Sequence, residues 1–231
     1  MTPRLQFLTL DASPLSHPEQ VRAALRGGVR WIQVRAKGRA EDEWVALARA
    51  VVALCREHGA TCVVNDSPRV ARLAGADGVH LGPEDASPAD ARRELGEAAI
   101  VGATLNFPAH LARLGATRVD YVGVGPFRPT TSKAKLAPVH SADSLAALIA
   151  AAAPRPAFAI GGVVAEDFPA LRALGAYGIA VSLATTILFL VLIQLTKAIG
   201  GKGLMPPDIA AWVPNLACGL FALVLLARVR T

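Results

Sequence analysis

Two aspartates follow neighbouring strand-like runs of the sequence and could hold a divalent cation. Asp66 follows the apolar run 61–64, and Asp85 follows the run 77–81. Acidic residues at the carboxyl ends of adjacent parallel strands converge on one mouth of a β/α barrel, where carboxylates and a substrate phosphate can share a hard cation such as Mg²⁺. A single aspartate at such a position is often a helix N-cap, and Asp66 precedes Ser67-Pro68. The pair is harder to explain in that way and predicts a metal site.

Three polar residues lie at alternate positions at the end of another strand-like run, 29–34. They are Gln33, Arg35 and Lys37. Period-2 spacing sends their side chains to one side of a strand, here the barrel interior and its upper rim. An amide, a guanidinium and an ammonium that point together suit a pyrophosphate, because Arg can bind two of its oxygens at once. The alternative is a solvated, charged strand end, which the preceding apolar run disfavours.

A hydroxyl-rich loop and a glycine pair are candidates for binding a monophosphate. The loop 125–133 follows the sixth predicted strand, and its polar residues are Thr130, Thr131, Ser132 and Lys133. Hydroxyls and exposed backbone N–H groups hold phosphates, and a lysine can neutralise a departing anion. The pair Gly161-Gly162 ends the seventh predicted strand, where many barrels bind phosphate. The alternative for the loop is an ordinary surface connection.

The remaining reactive residue types do not form a second active site. His80 lies within a predicted strand and is expected to be packed or hydrogen-bonded rather than to act as a general base. Cys55, Cys62 and Cys218 have neither metal-ligand nor disulfide spacing, and the chain starts without a basic-apolar signal segment. We therefore expect Cys55 and Cys62 to pack in the core and residues 1–183 to lie in the cytoplasm.

Strand-like and helical runs alternate along residues 5–182, which is typical of a parallel α/β fold. Each link is long enough for a right-handed crossover, so eight strands favour a closed (β/α)8 TIM barrel over an open sheet. The predicted strands are 5–9, 29–34, 61–64, 77–81, 99–103, 119–124, 156–160 and 177–182. The predicted helices are 18–27, 42–58, 68–75, 88–96, 107–115, 141–152 and 166–174.

The charge content changes at residue 183. Residues 1–183 carry 20 basic and 17 acidic residues, as in an ordinary soluble enzyme, whereas residues 184–231 carry only 4 and 1. No stretch interleaves clustered Lys or Arg with aromatic residues, which argues against nucleic acid as a partner. Small anionic substrates account better for the net charge of +6.

The end of the chain has the hydropathy of a membrane hairpin. Residues 179–196 and 209–227 form uncharged runs on either side of a turn-rich hinge, and both are long enough to cross a bilayer. The alternative for the first run is the eighth barrel helix, but positions 187–193 are apolar all round, whereas an outer barrel helix has a polar face. Residues 178–182 are predicted both as the last strand and as the start of the first membrane helix, and one segment cannot form both structures.

Taken together, the motifs of residues 5–183 resemble the thiamine-phosphate synthase family. In order they are Gln-x-Arg-x-Lys, Asn-Asp, His-x-Gly-x-x-Asp, Gly-Pro-x-x-Pro-Thr-x-Ser-Lys, Ala-Ile-Gly-Gly and Gly-Ile-Ala-Val-Ser. The combination is far more specific than any one motif. The resemblance implies a Mg²⁺-dependent transferase that joins 4-amino-2-methyl-5-pyrimidinylmethyl diphosphate to 4-methyl-5-(2-phosphooxyethyl)thiazole, giving thiamine phosphate and pyrophosphate.

The resemblance also implies roles for individual residues. Asp66 and Asp85 would hold Mg²⁺. The pyrimidine diphosphate would be bound by Gln33, Arg35, Lys37, Asn65 and Lys133. The thiazole phosphate would be bound by Thr130, Ser132, Gly162, Val181 and Ser182, and Thr104 and Thr131 add hydroxyls to the substrate-binding set. Arg35, Lys37 and Lys133 would be catalytic because they stabilise the leaving pyrophosphate, and no protein nucleophile is required.

Three positions depart from the pattern of this family or of its relatives. The family usually has Gln at the position of Pro83 and Ser at the position of Thr104, which keeps the hydroxyl. A related thiazole tautomerase branch has a His at the position of Asn106. Asn106 therefore favours the synthase over a tautomerase-like isomerase, which stays an alternative.

The tail resembles a different family. Its Leu-x-Pro-Pro and Ala-Ala-Trp-Val-Pro-Asn-Leu segments, followed by an apolar run and terminal arginines, are similar to the last two membrane helices of lipopolysaccharide-export permeases. We therefore predict a TIM-barrel domain over 1–183 and an apolar helical hairpin over 184–231 that replaces the eighth helix and attaches the barrel to the inner membrane. The alternative is an inactive chimeric barrel that carries a permease fragment.

Overall fold

A computed structural model describes residues 3–129 and 137–182, and these residues form a closed barrel of eight parallel strands. Strands β1 to β8 pair in chain order, and β8 pairs with β1 to close the barrel. Their bounds are Leu5–Leu8, Trp31–Val34, Thr61–Asn65, Gly78–Leu81, Ile100–Leu105, Tyr121–Val124, Ala157–Ala159 and Gly178–Ser182. The predicted TIM barrel is confirmed for this part of the chain.

A helix follows each of the first seven strands, as predicted. Helices α1 to α7 are His17–Arg26, Glu41–Glu57, Pro68–Ala74, Pro88–Leu95, His110–Leu114, Ala142–Ala152 and Phe168–Ala173. A short 3₁₀-helix, Ala165–Asp167, leads into α7. Because each helix returns the chain to the amino-terminal side of the barrel, the carboxyl ends of all eight strands face one mouth.

Serine side chains begin several of these helices. Ser67 Oγ accepts a hydrogen bond of 3.2 Å from the N–H of Val70, and Ser87 and Ser141 cap α4 and α6 in the same way. The cap of α3 is therefore Ser67 and not Asp66. The N-cap alternative for Asp66 is excluded, and its carboxylate is available to other partners.

An aromatic cluster fills the amino-terminal half of the barrel. Trp31 packs edge-to-face against Tyr121 and Phe158, with ring centroids 4.7 and 5.0 Å away. Neighbouring strands carry glycine where these rings need space: a Cβ atom at Gly102 would overlap Tyr121, and one at Gly178 would overlap Phe158. This half of the barrel is solid core, so polar ligands have room only at the opposite mouth.

The structure corrects the prediction for the beginning of the tail. Residues Gly178–Ser182 form β8, with Leu8 opposite Ser182, so the run 179–196 cannot be a membrane helix along its whole length. The predicted domain boundary at 183, the hairpin over 184–231 and Cys218 lie outside the described residues. Within the described ranges, the helices are too short or too polar for a bilayer span. Cys55 and Cys62 are buried in the core, as predicted.

Candidate active site

Asp66 and Asp85 lie together at the carboxyl ends of β3 and β4. A point at the Cβ position of an alanine replacing Gly82 would be 2.9 Å from Asp85 Oδ2 and 4.0 Å from Asp66 Oδ1. The backbone N–H of Gly82 donates a 2.6 Å hydrogen bond to Asp85 Oδ2. Lys37 Nζ contacts Asp66 Oδ2 from the end of β2. Three consecutive strands thus bring two carboxylates and one ammonium to one part of the rim.

The backbone of Asp66 has an unusual conformation. Its φ is 68°, and it has the only positive φ among the non-glycine residues that the structure describes. The Asp66 N–H donates a 2.7 Å hydrogen bond to the carbonyl of His80, which holds this conformation against β4. Left-handed backbone in a residue with a side chain is costly and is concentrated at functional sites. This observation is independent of the carboxylate pairing and points to the same rim.

The neighbouring carboxylate also changes the acidity of Asp85. Burial, the largest cause, and the adjacent carboxyl group of Asp66 together raise the pKa of Asp85 to about 6. The Gly82 N–H and the Lys37 ammonium oppose this shift, since both favour the charged form. Ionising Asp85 beside a second carboxyl group therefore has a cost in free energy that a bound cation would relieve.

The carboxylate pair suits a magnesium ion. Mg²⁺ prefers oxygen ligands and is commonly held by one or two carboxylates, with substrate phosphates and water completing its shell. Among residues 3–129 and 137–182, no cluster of three or more His, Cys, Asp or Glu side chains could bind a metal by itself. Asp66 and Asp85 could therefore hold a cation that a phosphorylated substrate shares, rather than a closed protein-only site.

The amides of Gln33 and Asn65 face each other inside the mouth. Gln33 Nε2 donates a 2.8 Å hydrogen bond to Asn65 Oδ1, and both side chains are buried. Arg35 follows Gln33 at the next inward position and is only 8% exposed. Its guanidinium has no carboxylate partner in the part of the chain that the structure describes. A buried cation without a carboxylate partner among the described residues is suited to an anionic ligand.

A hydrogen-bonded network below this mouth holds Thr104. His80 Nε2 lies 2.9 Å from Thr104 Oγ1, and His80 Nδ1 lies 3.0 Å from the hydroxyl of Tyr121. Gln6 Nε2 donates to the same hydroxyl at 3.1 Å. Burial raises the pKa of Tyr121, so its hydroxyl stays protonated. The prediction that His80 is a hydrogen-bonded interior residue is confirmed.

The glycine pair after β7 forms the opposite side of the mouth. Gly161 and Gly162 have φ values of 82° and 66°, which favour glycine, and a Cβ atom at Gly162 would lie 2.7 Å from Arg128 Cβ. The N–H of Gly162 has no acceptor among the described residues. Val181 and Ser182 end β8, paired with Phe7 and Leu8 of β1. Thr130, Thr131, Ser132 and Lys133 lie outside the described residues.

Five residues that sequence reasoning does not single out support these groups. They are Thr9, Asp11, His17, Arg128 and Asp167. All but His17 hydrogen-bond directly to the segments that carry Arg35, Lys37 and Gly162, and His17 hydrogen-bonds to Thr9 and Asp11. Asp11 follows β1 in the same way that Asp66 follows β3. That position, a carboxylate just beyond an apolar strand, is the signal that could have identified it.

Comparison with known proteins identifies the family. The family model of thiamine monophosphate synthase matches residues 7–185. A thiamine-phosphate synthase of Bacteroides fragilis is 40% identical over 182 residues, which cover 77% of this chain and 89% of the relative. One of Salinispora arenicola is 47% identical over 182 residues, which cover 77% and 86%.

A solved structure agrees with these relatives. Thiamine phosphate pyrophosphorylase from Pyrococcus furiosus superposes with a TM-score of 0.68 at 31% identity, and the match covers 78% of this chain and 86% of that one. The fold, the rim geometry and the three similarities lead to the same result. The chain belongs to the thiamine-phosphate synthase family of transferases.

Proposed function

We propose that this synthase joins 4-amino-2-methyl-5-pyrimidinylmethyl diphosphate to 4-methyl-5-(2-phosphooxyethyl)thiazole at the mouth formed by the carboxyl ends of its strands. The observation that carries the proposal is the convergence of Asp66, Asp85 and Lys37 from three consecutive strands. Carboxylates, an ammonium and the buried guanidinium of Arg35 form a mixed site in which a diphosphate can be bound both directly and through a shared cation.

The reaction needs charge stabilisation rather than a protein nucleophile. The bond between the pyrimidine methylene and the diphosphate oxygen breaks, and the diphosphate leaves with the electron pair. The aminopyrimidine delocalises the positive charge left on the methylene, and the lone pair of the thiazole nitrogen then forms the new C–N bond. No proton has to move in these two steps, so the site has to orient two anions and stabilise the departing one.

Each group at the mouth has a part in this scheme. Arg35 and Lys37 bind the diphosphate and stabilise the charge that grows on it, assisted by Lys133. Gln33 and Asn65 orient the pyrimidine diphosphate, and Thr104 offers its hydroxyl near the pyrimidine. Asp66 and Asp85 would hold Mg²⁺, which supplies neutralisation of the diphosphate when it is bound.

The thiazole phosphate belongs on the opposite side of the same mouth. The N–H of Gly162, which has no acceptor within residues 3–129 and 137–182, supports this assignment, because backbone N–H groups in left-handed turns bind phosphate oxygens. We assign Val181 and Ser182 to the same subsite, together with Thr130, Thr131 and Ser132. This arrangement places the two anions on separate loops, with the reacting carbon and nitrogen between them.

A direct assay tests the proposal. The full chain is incubated with both phosphorylated substrates and Mg²⁺, and thiamine phosphate is measured. Asp66→Asn and Asp85→Asn should each lower turnover by about 100-fold or more, as expected when stabilisation of a leaving group is lost. Asp42→Asn is the matched control, because Asp42 is exposed in the first turn of α2 and should leave turnover unchanged. No product from folded protein would reject the proposal.

The same assay separates the synthase from the tautomerase alternative. The curated relatives described above are thiamine-phosphate synthases, which supports the coupling reaction. Isomerisation of a thiazole carboxylate phosphate without coupling would favour the tautomerase instead. Asn106, where the tautomerase branch has His, predicts that no such isomerisation occurs.

We also propose that residues 184–231 attach the barrel domain of residues 1–183 to the inner membrane. The support is the sequence alone: the uncharged run 209–227, the shorter uncharged stretch 184–196, and Arg228 and Arg230. Cell fractionation of the full chain and of a chain ending at 183 tests this. The proposal fails if both proteins remain in the supernatant.

A further inference from the structure

The β1–α1 loop is hydrogen-bonded to the segment that carries Arg35 and Lys37. The backbone pairing of β1 with β2 continues to the bond from the Thr9 N–H to the Gln33 carbonyl, at 3.0 Å. Beyond this bond, side-chain oxygens of the β1–α1 loop accept the hydrogen bonds in place of backbone carbonyls. Thr9 Oγ1 accepts from the Arg35 N–H at 2.9 Å, and Asp11 Oδ2 accepts from the Lys37 N–H at 3.0 Å. The two cationic residues are therefore fixed by their backbone N–H groups at alternate positions.

His17 connects the two acceptors. Its Nδ1 lies 2.8 Å from Thr9 Oγ1 and its Nε2 lies 3.1 Å from Asp11 Oδ1. Burial lowers the pKa of His17, so the ring is neutral near pH 7. Burial opposes ionisation of Asp11, but the hydrogen bonds from the Lys37 N–H and from His17 outweigh it and lower the Asp11 pKa.

These charge states fix the direction of every hydrogen bond in the cluster. An ionised Asp11 can only accept, so the proton of the imidazole is on Nε2. Nδ1 is then an acceptor. The hydroxyl of Thr9 donates to it at 2.8 Å in preference to the Arg35 carbonyl at 3.4 Å, while accepting from the Arg35 N–H. The three residues Thr9, Asp11 and His17, which we call the β1 clamp, use all of these groups without conflict.

A separate network holds the glycine turn after β7. Arg128 Nη2 donates to Asp167 Oδ1 at 2.7 Å, and Arg128 Nη1 also contacts Asp167 Oδ2. Asp167 Oδ2 accepts from the Val164 N–H at 2.9 Å, and Arg128 Nη1 donates to the Gly162 carbonyl at 3.3 Å. We call Arg128 and Asp167 the β7 clamp.

Arg128 uses three of its five N–H donors within the β7 clamp, so binding phosphate is not its main role. Asp167 engages its guanidinium by two parallel hydrogen bonds, and the remaining donor contact is to backbone. The ion pair raises the pKa of Arg128 and, against the effect of burial, lowers that of Asp167. Arg128 and Asp167 instead tie the two ends of the turn at 162–164 together.

We propose that the two clamps are positioning devices, one for each substrate: the β1 clamp orders Arg35 and Lys37 for the pyrimidine diphosphate, and the β7 clamp orders the Gly162 turn for the thiazole phosphate. The inference rests on the proposed assignment of these subsites. It follows from the separation of the networks, because among the described residues no hydrogen bond or ion pair joins a residue of one clamp to a residue of the other. Each clamp should consequently govern one Michaelis constant.

Thr9 gives the sharpest test of the β1 clamp. Thr9→Val keeps the shape of the side chain but removes the acceptor for the Arg35 N–H and the donor to His17. Its KM for the pyrimidine diphosphate should rise about tenfold, the effect of one lost buried hydrogen bond. Its KM for the thiazole phosphate should stay within about twofold. Thr9→Ser restores the hydroxyl and should recover most of the loss. A general packing defect would affect both constants and would not respond in this way.

Asp167→Asn tests the β7 clamp by the same two Michaelis constants, with the opposite pattern expected. It weakens the β7 clamp while keeping the size of the side chain, so it should raise KM for the thiazole phosphate and leave KM for the pyrimidine diphosphate within about twofold. Asp11→Asn is the second variant for the β1 clamp if Thr9→Val does not fold, since Asp11 is partly exposed. The thermal midpoint of each variant is recorded in parallel.

The outcomes separate the inference from the function on which it rests. If Arg35→Ala raises KM for the pyrimidine diphosphate but Thr9→Val and Asp11→Asn do not, the clamp proposal fails and the subsite assignment stands. If Arg35→Ala leaves that constant unchanged in an active enzyme, both fail. Equal increases in both constants for any clamp variant, or a Thr9→Ser protein no better than Thr9→Val, also overturn the inference.

Discussion

Gln33 donates a hydrogen bond of 2.8 Å from Nε2 to Oδ1 of Asn65, and both amides are almost fully buried. The bond joins adjacent strands at the mouth of the barrel and fixes the orientation of both side chains. It uses one lone pair of the Asn65 carbonyl and one N–H of Gln33, so the Asn65 NH₂ group and the Gln33 carbonyl are the polar ends that this bond leaves to a ligand.

Replacing Asn65 by alanine should therefore cost both stability and binding. The change leaves a donor of Gln33 buried without its partner, so the free energy of unfolding should fall by about 1–3 kcal/mol. Urea unfolding measures this, and KM for the pyrimidine diphosphate should rise at the same time. Asn106→Ala is the control, because no hydrogen bond to a described residue involves the Asn106 side chain. Similar losses for both variants would contradict the prediction.

Replacing Gly82 by alanine should disturb the carboxylate pair with little effect on the fold. The added Cβ atom would lie 2.9 Å from Asp85 Oδ2, which is already hydrogen-bonded to the Gly82 N–H at 2.6 Å. The carboxylate must turn away, and turnover should fall by about tenfold or more, as for other changes that disorient a metal ligand. A kinetic assay and a melting curve check this together. Unchanged turnover, or a collapse of the melting temperature, would argue against it.

Tyr121→Phe should destabilise the barrel interior. The hydroxyl accepts from Gln6 and lies within hydrogen-bonding distance of His80, so its removal leaves buried polar groups without that partner. The expected loss is about 1–3 kcal/mol in the free energy of unfolding. A second change, Gln6→Met, should recover part of this loss, because it removes the stranded donor and replaces it with an apolar side chain. The account would be wrong if the double variant lost as much free energy of unfolding as the two single variants lose together.

The contribution of Asp120, on the outer face of the barrel, to the stability of the fold should depend on pH. Burial disfavours ionisation of Asp120, but hydrogen bonds from the Val101 N–H, Arg118 and Arg92 outweigh it and lower its pKa below 3.8. The unfolded chain therefore binds the proton more readily than the folded one. The contribution of Asp120 to stability is complete above the unfolded pKa and is lost as the pH falls through the folded pKa.

Asp120→Asn measures that contribution. The difference in free energy of unfolding between the natural chain and the variant should be constant from pH 7 to about pH 5 and should shrink as the pH falls below the unfolded pKa of about 3.9. Denaturant unfolding at a series of pH values provides the curve. A difference that does not change with pH would show that the charge of Asp120 is unimportant. Asp42→Asn, at an exposed position in the first turn of α2, is measured alongside as the control.

Local sequence pattern was sufficient to predict each strand and helix of the described barrel, and only their ends differ. The seventh strand is predicted over 156–160 but is Ala157–Ala159, because pairing with its neighbours, rather than residue type, decides where a strand ends. The run 179–196 predicts a membrane helix, yet it begins inside β8. A parallel strand buried on both faces reads as a continuous apolar run, so hydropathy alone does not distinguish the two.

Period-2 spacing predicts the inward positions of Gln33 and Arg35, and strand order predicts that Asp66 and Asp85 are neighbours. The clamps are different, because their hydrogen bonds join residues far apart in the chain: 26 positions separate Asp11 from Lys37, and 39 separate Arg128 from Asp167. No local pattern contains that information. Only closure of the barrel brings such loops together.

The left-handed backbone of Asp66 has a practical consequence for mutagenesis of the carboxylate pair. Asparagine tolerates that conformation nearly as well as aspartate, whereas alanine pays about 1–2 kcal/mol to adopt it. Asp85 does not have a positive φ. Replacement by alanine would therefore add a backbone strain energy at Asp66 and none at Asp85. The loss measured for Asp66→Ala would then exceed the part that is due to its carboxylate.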